Sequence, residues 1–94
     1  MPYWTYILEC NDRKLYTGMT SNLERRIAEH EHGLDPDCFT YNRRPIRYLW
    51  SEEFARVDDA IAAEKQIQGW SRKKKFALID GGIELVAQVT KTAR

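Results

Sequence analysis

A chain of 94 residues that is 43% apolar, 12% aromatic and 31% charged has the composition of one globular domain. This excludes a disordered polymer and lies near the lower size at which a core suffices without disulfides or metal clips. A formal net charge of +1 excludes a generic polycation, so affinity for nucleic acid must come from where charge is placed rather than from its sum.

Residues 3–10, YWTYILEC, are aromatic and β-branched and predict a strand. Leu15 to Gly18 predicts a second, joined to the first by a hairpin turn at Asn11, Asp12 and Arg13. Tyr6 and Tyr16 share a sheet face if the register permits. Ser21 followed by Glu24 reads as a capping box that starts a helix at Asn22, running to about Glu31. On that helix Leu23 and Ile27 form the buried stripe, and Arg26 and His30, four apart, lie along its edge and point toward the protein body. Gly33, Pro36 and Pro45 then bound a long loop that clusters Thr40, Arg43 and Arg44.

Ile46 to Phe54 predicts a third strand, central and two-sided, with Tyr48, Trp50 and Phe54 on one face and Leu49 on the other. A second helix is expected from Asp58 to Gly69, with Ala60, Ile61 and Ile67 on the buried arc and Glu64 inside that arc. A carboxylate aimed at the core side is costly unless paired, hydrogen-bonded or bound to a cation. Ser71 caps a third helix that Gly81 and Gly82 end, and Arg72, Lys73, Lys74 and Lys75 form its basic start. The expected fold is a small α/β domain over residues 1–82, a three-stranded, mainly antiparallel sheet with helices packed against it in the order ββαβαα. Residues 83–94 are expected to be a partly disordered tail.

No apolar run approaches the roughly 18 residues that span a bilayer, and MPYWTYILEC carries no basic leader or cleavage site. Cys10 and Cys38, without CxxC spacing, read as reduced thiols. A cytoplasmic protein is expected, with a monomer favoured and no membrane partner.

Two tyrosines, an arginine, a histidine and one inward glutamate form an inventory for phosphodiester hydrolysis. A single carboxylate suits Mg²⁺, which keeps several waters and needs few protein oxygens. An arginine fork matches charge developing on phosphoryl oxygens, and a tyrosine can take a proton from water if cations lower its pKa.

The ordered set of Trp4, Thr5 and Tyr6, then Tyr16, Thr17 and Gly18, then Arg26, His30 and Glu64 resembles the GIY-YIG nucleases, in particular their small single-domain bacterial branch. The likeness covers about residues 3–80 and includes Thr40 to Pro45 and Trp70 to Ile79. It implies a metal-dependent endonuclease with one Mg²⁺ or Mn²⁺ on Glu64, acting on nucleic acid, DNA by preference. Implied roles are Tyr16 as general base or water-positioning group, Tyr6 as phosphate or water ligand, Arg26 as transition-state clamp and His30 as a second proton or phosphate contact. Gly18 is implied as structural. Thr40, Arg43, Arg44, Arg72 and Lys73 to Lys75 are expected to bind the nucleic acid. Met19 stands where excision-repair members carry a lysine, and no DNA-reading domain is attached, so low sequence specificity is expected. The alternative is a DNA- or RNA-binding module that uses the same basic surface without turnover.

Overall fold

Tyr3–Glu9 form β1, whose residues from Thr5 onward are all buried. An unbroken buried run is what a strand covered on both faces requires. β1 is accordingly the centre of a three-stranded antiparallel sheet of order β2-β1-β3, with β2 at Leu15–Thr20 and β3 at Arg47–Phe54. The third strand is thus an edge strand, contrary to the sequence expectation, and its many exposed residues are the physical reason. The structure, a computed structural model, describes residues 2–92, with side chains through Val89.

The β1–β2 turn closes with the Cys10 N–H donating to the Lys14 carbonyl at 2.8 Å, and Arg13 takes the left-handed conformation at φ 71°. Helix α1, Leu23–His32, is capped by Asn22 rather than Ser21: the Asn22 side chain accepts the Arg25 N–H at 3.1 Å. Gly33, at φ 64°, ends it in the left-handed conformation that favours glycine.

Ile7 pairs with Trp50 and Leu8 with Tyr48, so a bulge in β3 skips Leu49. Tyr48 and Trp50 therefore fall on opposite faces, correcting the expected pattern: one extra residue reverses the alternation. Helix α2, Val57–Gln68, starts a residue earlier than expected, with Asp58 and Asp59 in its first turn complementing the helix dipole. The Ser71 hydroxyl accepts the Lys74 N–H at 3.2 Å at the start of α3, which spans Arg72–Thr92.

The expected tail from residue 83 is corrected over 83–92. Gly82, at φ 70° and ψ −165°, leaves the helical region and the helix resumes beyond it. Glycine alone reaches that region at low cost, so a pair that reads as a stop serves as a kink. It brings Val86, with Leu85 and Val89 beside it, into the core. The tail expectation for residues 93 and 94 lies outside the described residues.

Two core clusters lie on the two sheet faces. Ile7, Ile67, Ala77, Leu78 and Val86 join β1 to α2 and α3. Tyr6, Leu8, Cys10 and Ile46, with Tyr16, Leu23 and Ile27, join the sheet to α1.

Candidate active site

The α1 face of the sheet gathers the polar side chains. Antiparallel register sets Tyr6 opposite Gly18 and Leu8 opposite Tyr16, which puts both tyrosines on this face with ring centroids 6.2 Å apart. A Cβ on Gly18 would stand 2.5 Å from the Tyr6 hydroxyl oxygen and 2.6 Å from Cζ. The phenol lies across the glycine, so no side chain fits there.

Helix α1 supplies Arg26 and His30 one turn apart, and the loop after Gly33 supplies Cys38 and Thr40. Tyr6 is 1% exposed, His30 3% and Thr40 1%. Buried polar groups need partners, and these three satisfy one another. The Thr40 hydroxyl donates to Cys38 Sγ at 3.5 Å, which leaves its oxygen to accept the His30 Nδ1–H at 2.7 Å. His30 Nε2 then accepts the Tyr6 hydroxyl at 2.8 Å. This tautomer is assigned from the hydrogen-bond directions. It requires a neutral imidazole, and burial, followed by the charge of Arg26, pushes the His30 pKa down from 6.5 to about 4.

Burial raises the Tyr6 pKa well above the ordinary phenol value; Tyr16 adds to the rise and Arg26 opposes it. The Tyr16 pKa is also raised, by burial and then by Cys38, with Arg26 again opposing. Both phenols hold their protons at neutral pH, and Arg26 is the cation beside both. Burial works against the charge of Arg26, but hydrogen bonds with Glu29, at 3.0 Å, and Tyr6 outweigh it and raise its pKa. Asp35 lies 3.7 Å from its other terminal nitrogen.

Glu64 stands on α2, between two residues anchored to the sheet. The carbonyl of Ala60 accepts the Thr5 hydroxyl at 2.8 Å, and the Gln68 side chain donates to the Thr17 carbonyl at 3.3 Å. Residues four apart share a helix face, so Glu64 is held over β1 and the edge strand β2. It is half-buried, and its carboxylate forms no ion pair or hydrogen bond among the described residues. It approaches β2 from the α2 face, whereas Tyr6, Tyr16, Arg26 and His30 lie on the α1 face; among the described residues no side-chain hydrogen bond or ion pair joins the two sets.

Residues 2–77 match the family model of the GIY-YIG catalytic domain. The chain belongs to the GIY-YIG family. A UPF0213 protein of Syntrophus aciditrophicus is 40% identical over 76 residues, covering 81% of this chain and 87% of that one. A UPF0213 protein of Staphylococcus haemolyticus is 37% identical over 78 residues, covering 83% and 94%. The solution NMR structure of the UPF0213 protein BH0048 from Bacillus halodurans superposes with a TM-score of 0.56 at 33% identity, covering 95% of this chain and 96% of that one. The three-stranded sheet and ββαβαα order agree with that structure.

Within this GIY-YIG domain several residues expected to grip nucleic acid are engaged internally. Thr40 is buried against His30 and so does not face a ligand. Arg43 pairs with Asp12 at 3.1 Å, donates to the Phe39 carbonyl at 3.0 Å and covers the Phe39 ring at 4.0 Å. Arg44 donates to the Tyr41 carbonyl at 3.0 Å and remains exposed. Arg72 reaches the Arg13 carbonyl at 2.6 Å and Glu9 at 3.9 Å. Lys74 lies over Trp70 at 4.9 Å, Lys73 is exposed and Lys75 is half-buried. Sequence reasoning missed Cys38, whose sulfur lies 3.6 Å from His30 Nδ1 and 3.9 Å from Arg26, because a lone thiol in an aperiodic loop carries no signal. It also missed Phe39, stacked on Tyr16 with centroids 6.1 Å apart; an aromatic residue in a loop beside a buried Thr40 is the available clue.

No helix among the described residues is long and apolar enough to cross a membrane.

Proposed function

We propose that this GIY-YIG domain is a metal-dependent endonuclease that hydrolyses phosphodiester bonds of nucleic acid, DNA in preference to RNA, with low sequence specificity. The observation that carries the reading is the buried Tyr6–His30–Thr40 chain beside half-buried Tyr16 and Arg26. That chain fixes the position of Tyr16 and Arg26, the two groups that phosphodiester hydrolysis needs.

Glu64 fits a divalent cation by its chemistry: it is a half-buried carboxylate without a counter-charge among the described residues. No group of three or more histidine, cysteine, aspartate or glutamate side chains that could hold a metal occurs among those residues. A lone carboxylate suits only an ion such as Mg²⁺ or Mn²⁺, which needs one or two protein oxygens and takes its remaining ligands from water and substrate. An ion held there would polarise a phosphate that lies at the edge of β2, where Gln68, one turn on from Glu64, and Tyr16 line the same cleft.

The protein's own residues do the rest. Arg26 exchanges Glu29 and Asp35 for phosphoryl oxygens and meets charge that grows in the transition state. Tyr16, more accessible than Tyr6, orients the attacking water, and its proton transfer depends on the positive charge of Arg26 because burial alone keeps the phenol protonated. Tyr6 and His30 are too deeply buried to reach a strand and fix the floor on which Tyr16 and Arg26 stand.

Cleavage of labelled single-stranded, duplex and branched substrates with Mg²⁺ or Mn²⁺, against a chelator, tests the reading. Glu64→Gln is expected to abolish metal-dependent cleavage while stability stays within about 0.5 kcal/mol of the parent, as for a site without a structural partner. Arg26→Ala is expected to bind substrate and lose on the order of 10² to 10³ in turnover. A parent protein that binds but cuts none of these substrates returns the domain to the binding-module reading.

A further inference from the structure

Two clefts run along the open edge of β2. One, of about 280 Å³, is lined by Lys14, Leu15, Phe39, Arg72 and Lys75. The other, of about 200 Å³, is lined by Leu15, Tyr16, Thr17, Phe39, Gln68 and Lys75. They share Leu15, Phe39 and Lys75, so they form one groove that ends at Tyr16.

We propose that this groove is a subsite for one unstacked nucleotide of the bound strand, with Leu15 and Phe39 receiving the base and Lys14 and Lys75 the flanking phosphates. The proposal rests on the nuclease reading for the strand's presence at Tyr16 and adds what that reading lacks, a way to hold a base.

Phe39 is 41% exposed, yet its ring is not free to swing. Arg43 covers part of it at 4.0 Å, itself held by Asp12, and Tyr16 lies nearly parallel and offset with centroids 6.1 Å apart, so a base meets the part of the ring that lines the clefts. An aromatic side chain immobilised before binding loses little entropy when a base stacks on it. Lys14 and Lys75 have no carboxylate partner among the described residues, and no acidic side chain lines either cleft. Two unpaired ammonium groups beside an apolar floor match an anionic chain that carries flat bases. A duplex presents stacked bases and would leave Leu15 and Phe39 unused.

The test measures binding in chelator by fluorescence anisotropy. The probes are an oligothymidylate and an abasic phosphodiester chain of equal length and charge. The parent is expected to prefer the base-bearing strand. Phe39→Ala should weaken that strand about 5- to 150-fold, as for loss of one stacking platform, and leave the abasic chain unchanged. Phe39→Leu, apolar but without a stacking face, should behave the same way, and Phe39→Trp should restore the preference. Lys14→Gln with Lys75→Gln should weaken both chains alike and lower the salt slope by about 0.7 per lysine. Equal affinity of the parent for the two chains, equal weakening of both by Phe39→Leu, or equally tight binding of polyglutamate would overturn the subsite. Cleavage in Mg²⁺ with any of those results leaves the nuclease reading intact. Base-selective binding without cleavage removes the nuclease reading and keeps the subsite.

Discussion

Tyr6 and Ile7 are neighbours on β1, both buried, and they meet different worlds. Ile7 packs against Ile67, Ala77, Leu78 and Val86, hydrocarbon throughout. Tyr6 packs against Leu8, Tyr16 and Ile27 but ends in an oxygen bonded to His30, behind which stand Thr40 and Cys38. The α2 and α3 side supplies non-directional burial, which tolerates a change of shape if volume is kept. The α1 side supplies a directional chain in which one missing atom strands its neighbour. One sheet thus carries an almost wholly hydrocarbon cluster on one face and, on the other, an apolar cluster that ends in the Tyr6–His30–Thr40 chain.

The largest effect that sharpens this contrast is on the apolar side. Ile7→Ala is expected to cost about 2–5 kcal/mol in urea unfolding while the surviving folded protein keeps the cleavage proposed for the parent. A loss below about 1 kcal/mol would mean that the hydrocarbon cluster does not carry the stability assigned to it.

On the polar side the expected signature is in pH. His30 titrates near pH 4 when folded, against its ordinary 6.5, so the unfolded chain takes the proton first. Its contribution is fully present above about pH 6.5 and is lost as pH falls toward about 4, a total of about 3 kcal/mol. His30→Gln should flatten urea midpoints across that window relative to the parent. Parallel pH profiles would break the claim that a neutral imidazole is held there.

The smallest effect isolates a single atom. Tyr6→Phe keeps the ring and leaves His30 Nε2 without its donor, a cost of about 1–3 kcal/mol. Chemical denaturation resolves this, and an unchanged midpoint would show that the hydroxyl's bond to His30 is not part of what the face requires.

Local chemistry made much of this legible in advance. The aromatic and β-branched run of Tyr3–Glu9, and Leu23, Ile27, Arg26 and His30 at helical spacing, announce their elements and their inward faces. What was not legible depends on contacts distant in sequence. Ser21 and Asn22 are both good caps, and the helix takes Asn22, whose extended backbone lets its side chain accept the Arg25 N–H. Gly81 and Gly82 read as a stop because the apolar residues beyond them gain a meaning only once Ile7 and Ile67 lie alongside. The bulge that skips Leu49 comes from pairing with β1, not from β3 itself. Arg43 looked available for phosphate because neither Asp12 nor the Phe39 ring is near it along the chain.

The phenol of Tyr6 across Gly18 also bears on how substitutions combine. The two positions face each other on adjacent strands, and one is empty because the other is full. They form a single steric object divided between two motifs. A scan that scores each position alone would assign Gly18→Ala a penalty that belongs to Tyr6, and the sum of the separate effects would overstate the pair. In a lineage where the residue at position 6 became small, a side chain at position 18 would become admissible; the order of those two changes decides whether the path is open.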